Sequence, residues 1–122
     1  PELFQDYCQT AKILLQLIMS PVLADRLVYL RQIYPFGAIS AGEPEWRLWR
    51  MWLGLIRDLL LIKQDQLPLI QHWFLRDELE KAADSLSWSV LLKIFTNLGA
   101  AREYLTANVS PSLVFHNLAV GA

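Results

Sequence analysis

The stretch EWRLWRMWLGLIRDLLLIK, residues 45–63, decides the fold of this chain. Steps of three and four residues place its polar positions on one narrow stripe of a helix. Those positions are Arg47, Arg50, Gly54, Arg57 and Asp58. The rest of the circumference is tryptophan, leucine, methionine and isoleucine, and a helix that is apolar almost all round is buried on several sides. The pattern predicts a helix from about Glu45 to Lys63, central in a bundle or held between this domain and a neighbour.

Helical periodicity also extends toward the amino terminus. Proline disfavours helix in the residue before it, so a first helix is expected to end near Ser20-Pro21. A second helix follows, and residues 35–44, with two glycines and two prolines, are expected to form a loop. The predicted inner residues are Leu3, Phe4, Tyr7, Ala11, Leu14, Leu15 and Ile18 in the first helix, and Leu23, Leu27, Leu30 and Tyr34 in the second.

The carboxyl-terminal half continues the helical pattern after a loop or broken turn at residues 64–74. A short amphipathic helix is expected over residues 75–86, followed by a longer one that Ser87 caps and that runs to about Thr106. Ser110-Pro111 is a typical start for a last helix through Leu118. Alternation typical of strands is absent from the sequence, so the predicted fold is all-α, a single bundle of about five to six helices. The predicted inner face of the long helix is Leu91, Phe95, Leu98, Arg102 and Leu105.

The amino-acid composition excludes several classes of protein. The chain has 122 residues, is 54% hydrophobic and carries a formal charge of −1, which excludes a disordered chain and gives no electrostatic drive toward nucleic acid or anionic lipid. Charged residues interrupt every apolar run, so no membrane span is predicted. The single cysteine, Cys8, and the lack of a signal peptide indicate a cytoplasmic protein. Because the chain starts at Pro1 without methionine, it is expected to be a fragment of a longer protein.

Residues that carry chemistry are sparse. The sequence lacks phosphate-binding glycine loops, and His72 and His116 lack the spacing of metal ligands, so no catalytic, cofactor or metal site is predicted. His72 is expected to be solvated or to cap a helix. Trp46, Trp49 and Trp52 step by three, which could stack bases, but no cationic groove accompanies them. Packing in a core or an interface is the favoured interpretation of these tryptophans.

Arg102 is the charged residue that stands out of place, because it falls on the predicted inner face of its helix. A buried arginine needs a carboxylate or carbonyl partner, and Asp58 on the central helix is a candidate. The alternative is that the aliphatic stem of Arg102 packs while its guanidinium stays in water.

Two segments resemble a known family. RDLLLIK, residues 57–63, follows Trp52, and AREYLTANVSPSLVFHNL occupies residues 101–118. Their order and separation resemble the C-terminal domain of the bacterial clamp-loader delta-prime subunit of DNA polymerase III, over about residues 46–120. That family shows a tryptophan before R-D-L-L-L-x-K, then an arginine helix, N-x-N-P, leucines and E-N-L. Ser110 stands where the second asparagine is usual, and His116 stands where the glutamate is usual.

The resemblance implies a helical collar domain that packs with the equivalent domains of the delta and gamma/tau subunits into a ring. The whole complex loads the sliding clamp onto primed DNA with ATP, as part of a DNA-directed DNA polymerase. ATP and zinc bind in other domains of that family, so this fragment is expected to bind no cofactor and to meet clamp and DNA only through the complex. The motif and interface candidates are Trp46, Trp49, Trp52, Arg57, Asp58, Lys63, Arg102, Asn108, Pro111 and Asn117.

Alternatives remain at this point. The same domain of gamma/tau or of another AAA+ relative would share most of these features, and a helical adaptor or helical enzyme domain belongs to another class. Asn108 also has a structural interpretation, as a turn residue that ends the long helix. Assembly predicts that the isolated chain self-associates or shows large apolar patches.

Overall fold

The computed structural model describes residues 2–34 and 43–121, and within these ranges the chain forms six α-helices and no β-strand. The predicted all-α bundle is therefore confirmed. The inner position predicted for the Leu3 side chain lies outside the described residues, and so do positions 35–42 of the loop predicted over residues 35–44. The last two positions of that predicted loop belong to the third helix instead. The helices are α1 (Glu2–Met19), α2 (Leu23–Ile33), α3 (Glu43–Lys63), α4 (Arg76–Ser85), α5 (Trp88–Thr106) and α6 (Pro111–Gly121).

Local signals in the sequence place several helix boundaries. α1 ends at Met19, directly before Ser20-Pro21, as proline chemistry predicts. Ser87 caps α5, because its hydroxyl accepts the Val90 N–H at 3.1 Å and so satisfies a donor that the first turn leaves free. α6 begins at Pro111 as predicted, and it continues past Leu118 to Gly121.

Left-handed residues end the two longest helices. Asn108 has φ 62° and donates its N–H to the Leu105 carbonyl, while Val109 N–H reaches the Tyr104 carbonyl at 3.0 Å. This paired pattern satisfies carbonyl groups that the last turn of α5 would otherwise leave free. It confirms the structural interpretation of Asn108. Asp65, with φ 58°, plays the same part after α3.

α3 is the central helix, packed against α1, α4 and α5, while α6 packs against α2 and α5. Trp52 of α3 is fully buried and lies nearly parallel to the ring of Phe115 from α6, with 6.3 Å between the ring centroids. These contacts confirm the prediction that α3 is buried on several sides. The other fully or largely buried residues of α3 include Leu48, Met51, Leu55, Ile56 and Leu59.

The inner face predicted for α5 is wrong at two positions. Leu91, Leu98 and Leu105 are buried, but Phe95 is 45% exposed and Arg102 is also exposed. Successive helical residues are turned by about 100°, so each of these two positions lies beside the contact face rather than on it. The buried positions that precede them are Ile94 and Ala101.

Burial along α1 starts later than the apolar spacing predicts. Phe4 is 60% exposed and Tyr7 is also exposed, whereas the predicted inner residues from Ala11 onward are buried. The first turns of α1 do not lie over the core, and Phe4 meets the side chain of Phe74 instead. Leu23, at the start of α2, is exposed as well.

Candidate functional site

Asp58 forms the centre of the main polar cluster in the described residues. Its side chain is 1% exposed and lies in the carboxyl-terminal third of α3. One carboxylate oxygen accepts the backbone N–H of Gln71 at 2.9 Å, and the other accepts the backbone N–H of His72 at 3.0 Å. His72 Nδ1 lies 2.6 Å from the second oxygen. These contacts hold the connection between α3 and α4 (residues 64–75) against α3.

His72 links this carboxylate to α1. The hydroxyl of Tyr7 lies 2.8 Å from His72 Nε2, and the two rings are nearly parallel. With a neutral imidazole, Nδ1–H donates to Asp58, and Nε2 accepts the Tyr7 O–H. The expectation that His72 is solvated is therefore wrong, because its side chain is buried between Asp58 and Tyr7. His72 does precede the short 3-10 helix Trp73–Leu75, but its side chain makes no capping hydrogen bond there. We call Tyr7, His72 and Asp58 the relay.

The relay also corrects the predicted ion pair. Asp58 has no contact with Arg102, whose side chain is exposed on α5. A buried carboxylate needs donors close by, and two backbone N–H groups and an imidazole from the α3–α4 connection provide them without a long ordered arginine side chain. The pairing of Asp58 with Arg102 is wrong.

Gly54 makes room for His72. It lies one helical turn before Asp58, and a Cβ built on Gly54 would lie 3.0 Å from His72 Cε1 and 3.2 Å from the side-chain oxygen of Gln71. Both contacts are shorter than ordinary van der Waals distances. The absence of a side chain at Gly54 therefore lets the imidazole approach the backbone of α3.

The environment of Tyr7 limits what the relay does chemically. Burial, and then the negative charge of Asp58, raise the pKa of the Tyr7 phenol above 10.0. A phenol with a raised pKa keeps its proton at neutral pH. Nucleophilic catalysis needs a deprotonated or activated oxygen, so Tyr7 is a hydrogen-bond donor and an anchor for α1 in this arrangement.

An open groove of about 680 Å³ lies beside the relay, between α1 and α3. Tyr7 belongs to both features, which makes them continuous. Arg47 and Arg50 are exposed and contribute positive charge, and Asp6 contributes one negative charge. The groove is lined by Asp6, Tyr7, Thr10, Ile33, Arg47, Leu48, Arg50, Met51 and Gln71.

Aromatic side chains cover the surface on the other side of Tyr7. Phe74 meets both Phe4 and Tyr7 edge to face, with centroid separations of 5.7 and 6.1 Å. Trp73, next in the chain to both His72 and Phe74, carries the guanidinium of Arg76 over its ring at 5.7 Å. Phe4, Trp73 and Phe74 are exposed, and we call them the aromatic patch.

The three tryptophans of α3 are placed by packing. Trp52 is fully buried, while Trp46 and Trp49 are half-buried and meet edge to face. The indole N–H of Trp49 donates to the Leu98 carbonyl at 2.9 Å, which joins α3 to α5. These tryptophans therefore contribute to the packing of the domain.

The other family-motif residues do not come together. Arg57 and Arg102 are exposed on different helices, and Lys63 is half-buried in the last turn of α3. Pro111 starts α6. Asn117 is exposed and lines a shallow groove of about 260 Å³ between α5 and α6, with Asn97 and Tyr104.

A stripe of exposed apolar residues runs along the outer side of α5. Trp88, Leu92 and Phe95 are spaced by four and three residues, so they lie on one side of the helix. Their exposed fractions lie between 43% and 49%. Gly99 continues the same line and has open space around it. We call Trp88, Leu92 and Phe95 the α5 stripe.

Residues 2–34 and 43–121 contain no group of three or more histidine, cysteine, aspartate or glutamate residues that could hold a metal ion. In the same ranges no helix is long and apolar enough to cross a membrane. Comparison with known protein families, curated protein sequences and solved structures finds no match to this chain.

Sequence reasoning missed the relay because its members are far apart in the chain. Tyr7 and His72 are separated by 65 positions, and each has an ordinary alternative interpretation when seen alone. One signal was available: Gly54 and Asp58 share a turn of an otherwise apolar helix. A small residue beside a buried carboxylate indicates that another segment approaches the helix closely at that point.

Proposed function

We propose that this chain is a collar domain of a clamp-loader subunit similar to delta-prime, and that its role is assembly with the helical domains of neighbouring subunits. Within such a complex it would support ATP-dependent loading of the sliding clamp onto primed DNA, with ATP bound elsewhere. The α5 stripe is the observation that carries this proposal. It lies in the carboxyl-terminal part of the chain, where the family resemblance is found.

The α5 stripe is suited to pack against another helix. Its residues occupy neighbouring turns, and Gly99 at its end would let a partner backbone come close. Full burial of a large apolar side chain stabilises by about 1.5–3 kcal/mol. Three such side chains, each already about half-buried, would contribute several kcal/mol before the cost of association. A free-energy contribution of this size is typical of the few residues at the centre of a protein interface.

A ring needs two different surfaces on each subunit, because its interfaces are heterologous. Exposed apolar residues also lie where the start of α2 meets the end of α6. Arg26 joins these segments by donating to the carbonyls of Ser20 and Val120, and Val22, Leu23 and Val120 are exposed around it. We assign this second surface to the other neighbour in the ring.

Binding to partner domains tests the proposal. The chain would be mixed with the helical C-terminal domains of delta and of gamma/tau from the same genome, and the mass of the complex would be measured by light scattering after size-exclusion chromatography. We expect a stable complex with at least one of them. Phe95→Glu is expected to abolish it, because a carboxylate would be buried in an apolar contact.

Ser89→Glu is the matched control, since Ser89 is exposed on α5 outside the stripe and the substitution adds the same charge. Both variants should keep the circular dichroism spectrum and unfolding midpoint of the parent chain. Absence of any complex with delta and gamma/tau domains would refute the assembly role. Equal binding by parent and Phe95→Glu would refute the assignment of the interface to the α5 stripe.

A further inference from the structure

The groove and the aromatic patch form one continuous surface that contains the two components of a single-stranded nucleic-acid site. Such sites combine cationic side chains that follow the backbone with aromatic rings on which bases stack. We propose that this surface binds single-stranded nucleic acid, with phosphates at Arg47 and Arg50 and bases on the aromatic patch. The inference goes beyond the collar role and does not depend on it.

Arg47 and Arg50 provide the positive charge. They lie three residues apart on α3, about 4.5 Å along the helix axis, and both line the groove. In the described part of the chain neither arginine forms a salt bridge, so both guanidinium groups are available to a phosphate. Among the described side chains that line the groove, Asp6 is the acidic one, so these side chains carry a local excess of positive charge.

The aromatic patch provides the stacking surface. Phe4, Trp73 and Phe74 are exposed. The guanidinium of Arg76 lies over the Trp73 ring and also pairs with Glu80 at 3.3 Å, so the arginines that contribute free charge are those of the groove. Tyr7 joins the patch to the groove, because it contacts Phe74 and also lines the groove. The relay fixes Tyr7, so the distance between the arginines and the rings is set before binding and little order has to be gained.

The same features select a single strand over a duplex. Bases in a duplex are already stacked on each other, whereas bases in a single strand are free to stack on side chains. The net charge of −1 gives no long-range attraction toward any polyanion. Binding must therefore come from local contacts, and the predicted affinity is low and strongly dependent on salt.

Fluorescence anisotropy with labelled oligothymidylate of about 12 nucleotides tests the proposal, a length within the range that compact single-strand sites cover. We expect saturable binding at low salt and weaker binding to a duplex of the same length. Arg47→Ala and Arg50→Ala should each weaken binding and each reduce the slope of log affinity against log salt by about 0.7. Phe74→Ala should weaken binding by about tenfold with little change in that slope.

Four further variants distinguish a loss of binding from a loss of folding. Phe4→Ala changes a side chain far from the core and should weaken binding as Phe74→Ala does. Asp6→Asn removes the negative charge from the groove and should tighten binding. Lys93→Ala and Tyr104→Ala remove an exposed cation and an exposed aromatic ring from α5, outside the groove and the aromatic patch, and they should leave binding unchanged.

The proposal is overturned if oligothymidylate does not bind, or if the Lys93→Ala and Tyr104→Ala controls weaken binding as much as the groove and patch variants do. Equal competition by heparin, which has charge but no bases, would also overturn it. Stronger binding to phosphatidylglycerol vesicles would identify a lipid surface as the occupant instead. The two proposals fail separately, because Phe95→Glu is predicted to abolish assembly and to leave nucleic-acid binding intact.

Discussion

α3 and α5 are the two longest helices, with 21 and 19 residues, and they pack against each other. The two helices differ in the kind of side chain that departs from the usual rule of apolar residues inside and charged residues outside. α3 buries the carboxylate of Asp58, while α5 leaves the rings of Trp88 and Phe95 at the surface. The difference lies in the partners. Asp58 meets hydrogen-bond donors from the α3–α4 connection, whereas the described residues leave about half of each side chain of the α5 stripe exposed.

A buried charged residue and an exposed apolar residue both depart from the usual distribution, but they indicate different roles. A buried charge with three donors is satisfied inside the domain, so its role is complete within the chain. An exposed apolar stripe is satisfied only by something outside the described chain, and so it points to an interaction. Both helices carry apolar residues on more than one side. In α3 the other helices cover those sides, whereas in α5 one apolar side stays partly exposed and is therefore a candidate interface.

The largest predicted loss of stability comes from removing the buried carboxylate of Asp58 in α3. Asp58→Ala leaves two backbone N–H groups and the His72 ring without their acceptor, and we expect a loss of about 3–5 kcal/mol in the free energy of unfolding. Urea denaturation measures it. Asp84→Ala, on the exposed side of α4, is the control and should change stability by less than about 0.5 kcal/mol.

A double-mutant cycle sharpens this result. Asp58→Ala and His72→Ala should be strongly non-additive, because the two side chains share a hydrogen bond. Asp58→Ala and Arg102→Ala should add. Coupling between Asp58 and Arg102 of more than about 0.5 kcal/mol would contradict the partner assignment.

Gly54 in α3 and Gly99 in α5 allow a smaller comparison of the same two helices. Gly54→Ala pushes a methyl group toward His72, which its hydrogen bonds hold in place, and we expect a loss of about 1–3 kcal/mol. Gly99→Ala meets open space on α5 and should stabilise by up to about 1 kcal/mol through helix propensity. Thermal unfolding of both variants gives the signs. Stabilisation by Gly54→Ala would show that His72 moves freely.

The smallest effect is expected from Tyr7→Phe, which removes the hydrogen bond to His72 and should cost about 1 kcal/mol at neutral pH. The folded pKa of Tyr7 is raised above its unfolded value of 10.0. Its contribution is therefore complete below about pH 10 and is lost as pH rises through the raised pKa. Stability of parent and variant measured at neutral and alkaline pH should converge at high pH.

Tyr104→Phe is the control for this pH dependence, because Tyr104 is an exposed tyrosine on α5. It should leave the alkaline loss of stability unchanged. An alkaline loss that is identical in the parent and in Tyr7→Phe would contradict the assignment to Tyr7.

Much of the fold was predictable from local chemistry. The Ser87 cap, the stop of α1 before Pro21 and the turn at Asn108 depend on a few neighbouring residues, and each is found as predicted. The inner face of α5 was predictable only in part, because an error of one position rotates a side chain by about 100° and moves it off the contact face. Phe95 and Arg102 show this limit.

The site depended on contacts that sequence spacing does not encode. Nothing in the surroundings of His72 along the chain indicates burial, and Tyr7 belongs to an ordinary amphipathic helix. Their hydrogen bond exists because α1 and the α3–α4 connection approach the same part of α3. The groove arises in the same way, from residues of α1, α3 and the α3–α4 connection.

The sequence by itself determined an all-α bundle with a central α3, because helical periodicity, caps and proline positions act over a few residues. It also indicated more apolar surface than one small core absorbs. Only the tertiary structure decided which residues lie inside that core and which lie outside it. Asp58 is buried because distant segments bring hydrogen-bond donors to it. The α5 stripe stays about half exposed because the described helices do not pack fully over it. Burial is a property of the partners that surround a side chain, and partners are chosen by packing across the whole chain.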